Sequence, residues 1–279
     1  MPPSATCRAG VGPVPTGAPA DLAAGPPGPG QQPEPARNRH RGRKPHFRVD
    51  EGDPGAYAGG MHVPPAALEE ALERLPVLRS VATELHAAFA AMRDSLAAGH
   101  KILACGNGGS AADADHIVGE LMKSFAYHRP INERDQAALR ALHADSADEL
   151  IAQLEAPLAA ISLPSQTSLL TAIANDVAYP FVFAQQVLGL GKRGDVLIAI
   201  STSGNSKNVV HACRVARMRE LVVIGLTGED GGELARACDI TIRAPARQTH
   251  LIQELHLPIY HALCLALEEH FFAVHGRRG

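Results

Sequence analysis

The chain has 279 residues, 46% hydrophobic and 20% charged, with a formal net charge of -3. That is enough for one substantial domain with its own core, and it gives the molecule no electrostatic reason to seek nucleic acid or a membrane surface. No apolar run approaches the roughly 20 residues of a membrane helix, and the start of the chain lacks the charged and apolar regions of a signal peptide.

Residues 1–60 are dense in Pro, Gly and Ala and almost empty of large apolar side chains. Such a segment cannot bury enough surface to offset its ordering entropy, so the expectation is a disordered tail. It carries a basic run of Arg37, Arg39, Arg41, Arg43, Lys44 and Arg48. A solvated charged tail or an upstream start-site artefact is the ordinary reading of that run, and contact with a polyanion the sharper one. The folded part is expected from Met61 to Gly279. Apolar spacing over 65–99 predicts two helices separated near Pro76.

Short apolar runs then alternate with helical patterns. Strands are expected at 101–105, 158–163, 195–201, 220–228 and 239–244, and helices near 110–125, 168–190, 206–219, 232–237 and 249–272. That alternation predicts an α/β fold with a parallel sheet flanked by helices in three layers, preceded by the helical hairpin. Residues 129–157 are charged and helical in spacing and read as an inserted helical excursion. Pro258 lies inside the closing helix and is a candidate kink. Five cysteines (Cys7, Cys105, Cys213, Cys238, Cys264) form no CxxC pair. Their odd number fits a reduced intracellular protein, so the expected location is cytoplasmic.

Four segments carry chemistry. "CGNGGSAADADH" (105–116) ends a strand in a Gly-rich turn, with Ser110 placed to cap the next helix. Free amides there suit an anion or a sugar hydroxyl, and a purely structural turn fits as well. "STSGNS" (201–206) crowds Ser201, Thr202, Ser203 and Ser206 around Gly204 at the mouth of a helix. A cap needs one hydroxyl, whereas phosphate uses several donors and the helix dipole. His116 and Glu120 share a helix face at i, i+4, a spacing that can seat a metal or an acid/base pair; spacing alone favours an ordinary surface pair. On the closing helix, Gln253 and His261 lie on broadly one side. His250, His256 and His270 read as ordinary helix histidines.

Taken together, "GNGGS", "HIVGEL", "AIAND", "GDVLIAISTSGNS", "LTG" and "IQELHLPIYH" resemble, in order, the blocks of the phosphoheptose isomerases of the sugar isomerase (SIS) fold. The resemblance covers about 65–272. It implies an aldose–ketose isomerase that converts sedoheptulose 7-phosphate to an aldoheptose 7-phosphate of the D-glycero-heptopyranose type. It implies Glu120 as catalytic base and His261 as acid. Asn107, Gly108, Gly109, Ser110, Glu120, Asn175, Asp176 and Gln253 would contact the sugar, and Ser201, Thr202, Ser203 and Ser206 the phosphate. His116, Glu120, Gln253 and His261 would hold one Zn2+ per subunit of a homotetramer whose active sites lie near subunit contacts. The chain departs from the family at "ELMKSF", where Lys123 and Ser124 stand for a Gly–Arg pair, and at His250, where some members have Asp. The alternative is a non-catalytic protein of the same fold, binding a replication initiator or sensing a phosphosugar. Such a protein has no need of Glu120 and His261.

Overall fold

The computed structural model describes residues 65–278. The expectations for the tail, residues 1–60, and for Met61 as the start of the fold lie outside them. Helix α1 (Ala66–Arg74) is followed by a 3-10 turn (Pro76–Val81) and by α2 (Ala82–Ala97). Pro76 makes the break, because it pushes Leu75 into an extended conformation (φ -126°) and cannot donate to the preceding turn.

The sheet comprises β1 (Ile102–Cys105), β2 (Ala160–Ser162), β3 (Val196–Ile200), β4 (Val222–Gly228) and β5 (Ile240–Ala244). Their order is β2-β1-β3-β4-β5, with every neighbour pair parallel. Between them run α3 (Gly109–Met122), α4 (Glu133–Leu142), α5 (Ala147–Gln153), α6 (Thr167–Ile173), α7 (Val182–Leu190), α8 (Lys207–Met218) and α9 (Leu234–Ala237). Helix α10 (Thr249–Phe272) closes the domain and continues through Pro258 without a break in the helix.

Strand side chains alternate between two cores, as the pleat requires. Ile102, Ala104, Ile198 and Ile224 pack against α1, α2, α3 and α10. Leu103, Cys105, Leu197 and Val223 pack against α6, α7, α8 and α9. Burial on both faces explains why these strands read as unbroken apolar runs. The excursion between α3 and β2 holds the two surface helices α4 and α5. Asn132 caps α4 by accepting the Asp135 N–H (2.9 Å). Among the described residues no helix is long and apolar enough to cross a membrane, and Cys105, Cys213, Cys238 and Cys264 are free thiols.

His256 is wholly buried under the sheet. Its Nε2 lies 3.3 Å from the Thr227 carbonyl, and its Nδ1 has no partner. Burial pulls its pKa down to about 4, against a small opposing effect of that carbonyl. The unfolded chain therefore binds this proton first as pH falls. The stabilising effect of a neutral His256 is complete above about pH 6.5 and is lost toward pH 4, on the order of 3 kcal/mol. Urea unfolding across that window should show the loss, and His256→Gln should flatten it. An unchanged pH slope in the variant would show that another group controls acid unfolding.

Candidate active site

In an open parallel sheet of order 2-1-3-4-5, the chain reverses its direction of winding between β1 and β3, and the crevice at their carboxyl ends is the natural ligand site. The Gly-rich turn leaves β1 there and the serine loop leaves β3 beside it. The two loops are tied together. Asn107 and Asn208 exchange side-chain hydrogen bonds (2.9 and 2.8 Å), and the Tyr179 hydroxyl donates to Asn107 Oδ1 (2.8 Å). Gly106 is obligatory, since a Cβ there would meet the Ser110 carbonyl at 2.4 Å. Gly108, at φ 55°, is the N-cap of α3. Ser110 is not the cap: it lies buried inside the first turn, because the helix starts two residues earlier than a serine cap would need.

The serine loop is braced from the start of α9. Gly204 (φ 66°) accepts the Leu234 N–H (2.8 Å), and Asn205 Oδ1 accepts the Glu233 N–H (3.0 Å). Ser201 and Ser206 hydroxyls meet at 3.1 Å, and the Asn205 N–H donates to Ser203 Oγ (3.2 Å). Ser206 is the N-cap of α8, yet its side chain makes no capping bond. The helix mouth is left facing outward with hydroxyls around it, a suitable seat for an anion. Thr202 is half-buried in the same loop, and Ser203 is exposed.

Asn175 and Asp176 sit on a single π-helical turn (Ala174–Ala178), exposed and hydrogen-bonded to each other (2.8 Å). Such turns are frequent at functional sites. Tyr179 is the link from this segment to the Gly-rich turn.

The second cluster lies farther along α3. His116 Nε2 stands 3.2 Å from Glu120 Oε1 and 3.4 Å from His261 Nε2. The rings of His116 and His261 meet edge to face at 4.9 Å, and Phe125 packs its ring 5.3 Å from His261. Lys123 Nζ donates to Glu120 Oε2 (3.1 Å). The Tyr260 hydroxyl lies 3.0 Å from His116 Nδ1 and donates to Asp113 Oδ1 (3.3 Å). Its oxygen thus accepts from Nδ1–H, which leaves the Nε2 lone pair of His116 facing a carboxylate oxygen. A proton or a cation between those two atoms resolves the repulsion, so the donor chemistry of His116, Glu120 and His261 suits a divalent ion. Even so, among the described residues no three His, Cys, Asp or Glu side chains gather around one point as a metal cluster. The Gln253 amide packs on Gly109, two helical turns before His116 along α3.

Burial, and then the neighbouring His116, push the His261 pKa below its usual value. Burial raises Asp113, partly offset by the Tyr260 hydrogen bond, and burial together with Asp113 raises Tyr260. Tyr260 therefore stays a neutral donor.

The SIS domain model matches residues 68–228. The phosphoheptose isomerase of Shewanella oneidensis is 40% identical over 206 residues, 73% of this chain and 88% of that protein. This chain belongs to the SIS domain family, among the phosphoheptose isomerases. The phosphoheptose isomerase of Nitratidesulfovibrio vulgaris is 44% identical over 180 residues, 64% of this chain and 74% of that one. The solved phosphoheptose isomerase of Neisseria gonorrhoeae is 36% identical, with a TM-score of 0.56, covering 73% of this chain and 96% of that one.

Beyond the family motifs, Tyr260, Asp113, Asn208 and Phe125 are parts of the site that the sequence reading passed over. Asp113 had a visible signal, since with His116 and Glu120 it falls at i, i+3, i+7 on one helix face. Nothing local marks Tyr260 apart from its place beside His261.

Proposed function

We infer that the chain is an aldose–ketose isomerase acting on sedoheptulose 7-phosphate and giving an aldoheptose 7-phosphate. The observation that carries this reading is the meeting of Glu120, from α3, with the His116–His261 pair that reaches across to α10. Isomerisation removes a proton from the carbon beside a carbonyl and returns it to the neighbouring carbon. Glu120 is the carboxylate that takes and redelivers it. A neutral imidazole at His261 can accept a proton from one substrate oxygen and return it to the other. The serine loop holds the phosphate, and that binding energy fixes the carbon chain beside the base.

A zinc ion is part of the proposal. His116, Glu120 and His261 would hold it, and when bound it would polarise the carbonyl. Glu120 is then shared between base and ligand, and a metal-bound carboxylate is the weaker base. Gln253 at Gly109 is better placed for the sugar than for that ion.

The homotetramer is proposed on two grounds. Glu120 lies eleven residues along α3 from Gly109, about 16 Å from the end of the helix that adjoins the serine loop. A second copy can bring its loop to this acid/base pair. Val177, Tyr179 and Phe181, exposed by 68%, 50% and 45% beside that loop, offer an apolar surface for the contact. Free thiols, three of the four described ones buried, support a cytoplasmic location.

The phosphate seat is tested directly. Ser203→Ala and Ser206→Ala should each raise KM for sedoheptulose 7-phosphate about tenfold, the value of one hydrogen bond to a charged group. Folding should be unchanged. An equal loss with unphosphorylated sedoheptulose would show that the loop does not read phosphate.

A further inference from the structure

Arg129 and Glu268 meet at the joint between α3 and α10 with no side-chain surface exposed, Nε to Oε1 at 2.6 Å. Burying two ions is unfavourable unless nearly every hydrogen and lone pair finds a partner. Here they do. Arg129 Nη1 donates to the Leu121 carbonyl (2.8 Å) and Nη2 to the Glu120 carbonyl (3.0 Å). Glu268 accepts the N–H groups of Phe125 (2.7 Å) and Ala126 (2.6 Å). The Phe272 ring covers the guanidinium at 5.0 Å.

Such a pair adds little stability over apolar side chains of similar volume; its attested use is to fix register between elements. The register fixed here is a particular one. Arg129 closes the last turn of α3 through the carbonyl of Glu120 itself, satisfying groups a helix end leaves orphaned. Glu268 stands two turns beyond His261 on the same side of α10. Between them runs Phe125, its N–H held by Glu268 and its ring against His261. One buried network thus grips the backbone of the base, the helix of the acid and the ring that packs on the acid.

We propose that the Arg129–Glu268 pair is a positioning device that sets Glu120 relative to His261 and acts on turnover, not on substrate affinity. The proposal rests on the isomerase reading above. Arg129→Lys keeps the charge and loses the planar fork, since one ammonium cannot serve Glu268, Leu121 and Glu120 together. The double variant Arg129→Met, Glu268→Met replaces the ions by apolar side chains. Both are assayed with sedoheptulose 7-phosphate beside thermal unfolding and oligomeric state. A displacement of the base by an ångström costs up to about 100-fold, so kcat should fall roughly 10- to 100-fold. KM should stay within about threefold, because the serine loop is untouched. The Met pair should recover most of the stability that Arg129→Met alone loses, which separates position from stability. Glu268→Gln, which keeps the size and an acceptor oxygen, supplies the same comparison if the Met pair does not fold. Wild-type kcat in folded Lys and Gln variants, or in the folded Met pair, would overturn the proposal. No turnover by the wild-type protein would instead overturn the isomerase reading.

Discussion

Glu120→Gln should lower kcat by about 10²- to 10⁴-fold while the protein folds normally. Gln keeps the length of the side chain and a carbonyl oxygen facing His116, and an amide cannot take a carbon-bound proton. Lys123 loses a charged partner in this variant, but that contact is on the surface, with the Lys123 side chain 60% exposed, so little stability goes with it. His261→Gln should cost a comparable factor. The two losses should not multiply, because groups that act as a unit are non-additive. The residues come from helices whose sequences are far apart, so neither substitution removes the other's local support. Zinc content is measured beside the rate, since both side chains are proposed ligands. Activity restored to either variant by added zinc would mean that the residues matter chiefly as ligands. Near-normal turnover in Glu120→Gln, with or without metal, would contradict the proton-transfer role.

The single substitution Arg129→Met should be strongly destabilising. It leaves the Glu268 carboxylate in the core with two backbone N–H groups and no counter-charge, a situation that typically costs 3–5 kcal/mol. It also strips the Glu120 and Leu121 carbonyls of their guanidinium donor. For a domain of this size the midpoint of thermal unfolding should drop on the order of 10 °C. Adding Glu268→Met to the same chain should recover most of it. By contrast, Arg140→Met breaks a contact with Asp148 between two largely exposed side chains, 55% and 95%, and should leave the midpoint unchanged. Equal effects of Arg129→Met and Arg140→Met would show that the buried pair carries no structural load.

The sheet was legible because parallel strands covered on both faces must be apolar throughout. "VLIAI" and "VVIGL" carry no other periodicity, and the helices between them keep theirs. Pro76 and the serine loop could also be read from the sequence, since each acts through backbone chemistry within a few residues. The acid/base cluster was legible only through the family resemblance. Spacing put His116 and Glu120 on one face and left an ordinary surface pair as the simpler account. What brings His261 to them is the packing of α10 on α3, which no local pattern encodes. The same limit hid Arg129. It opens a charge-rich stretch whose other members are mostly solvated, and its partner is 139 residues away. Ser110 failed as a cap for a local reason, since a glycine at positive φ can end the turn two residues sooner. Gln253 shares a helix with His261, and eight residues of rise bring its amide against Gly109 at the start of α3, a contact that no local pattern announces.

The most direct test of the account is incubation of the wild-type protein with sedoheptulose 7-phosphate in deuterated water, followed by proton NMR of the product. Proton transfer through Glu120 predicts an aldoheptose 7-phosphate that carries solvent deuterium at the carbon next to the carbonyl, with both product and label lost in Glu120→Gln. No aldose product, or product formed at full rate with the original proton retained in every molecule, would contradict it.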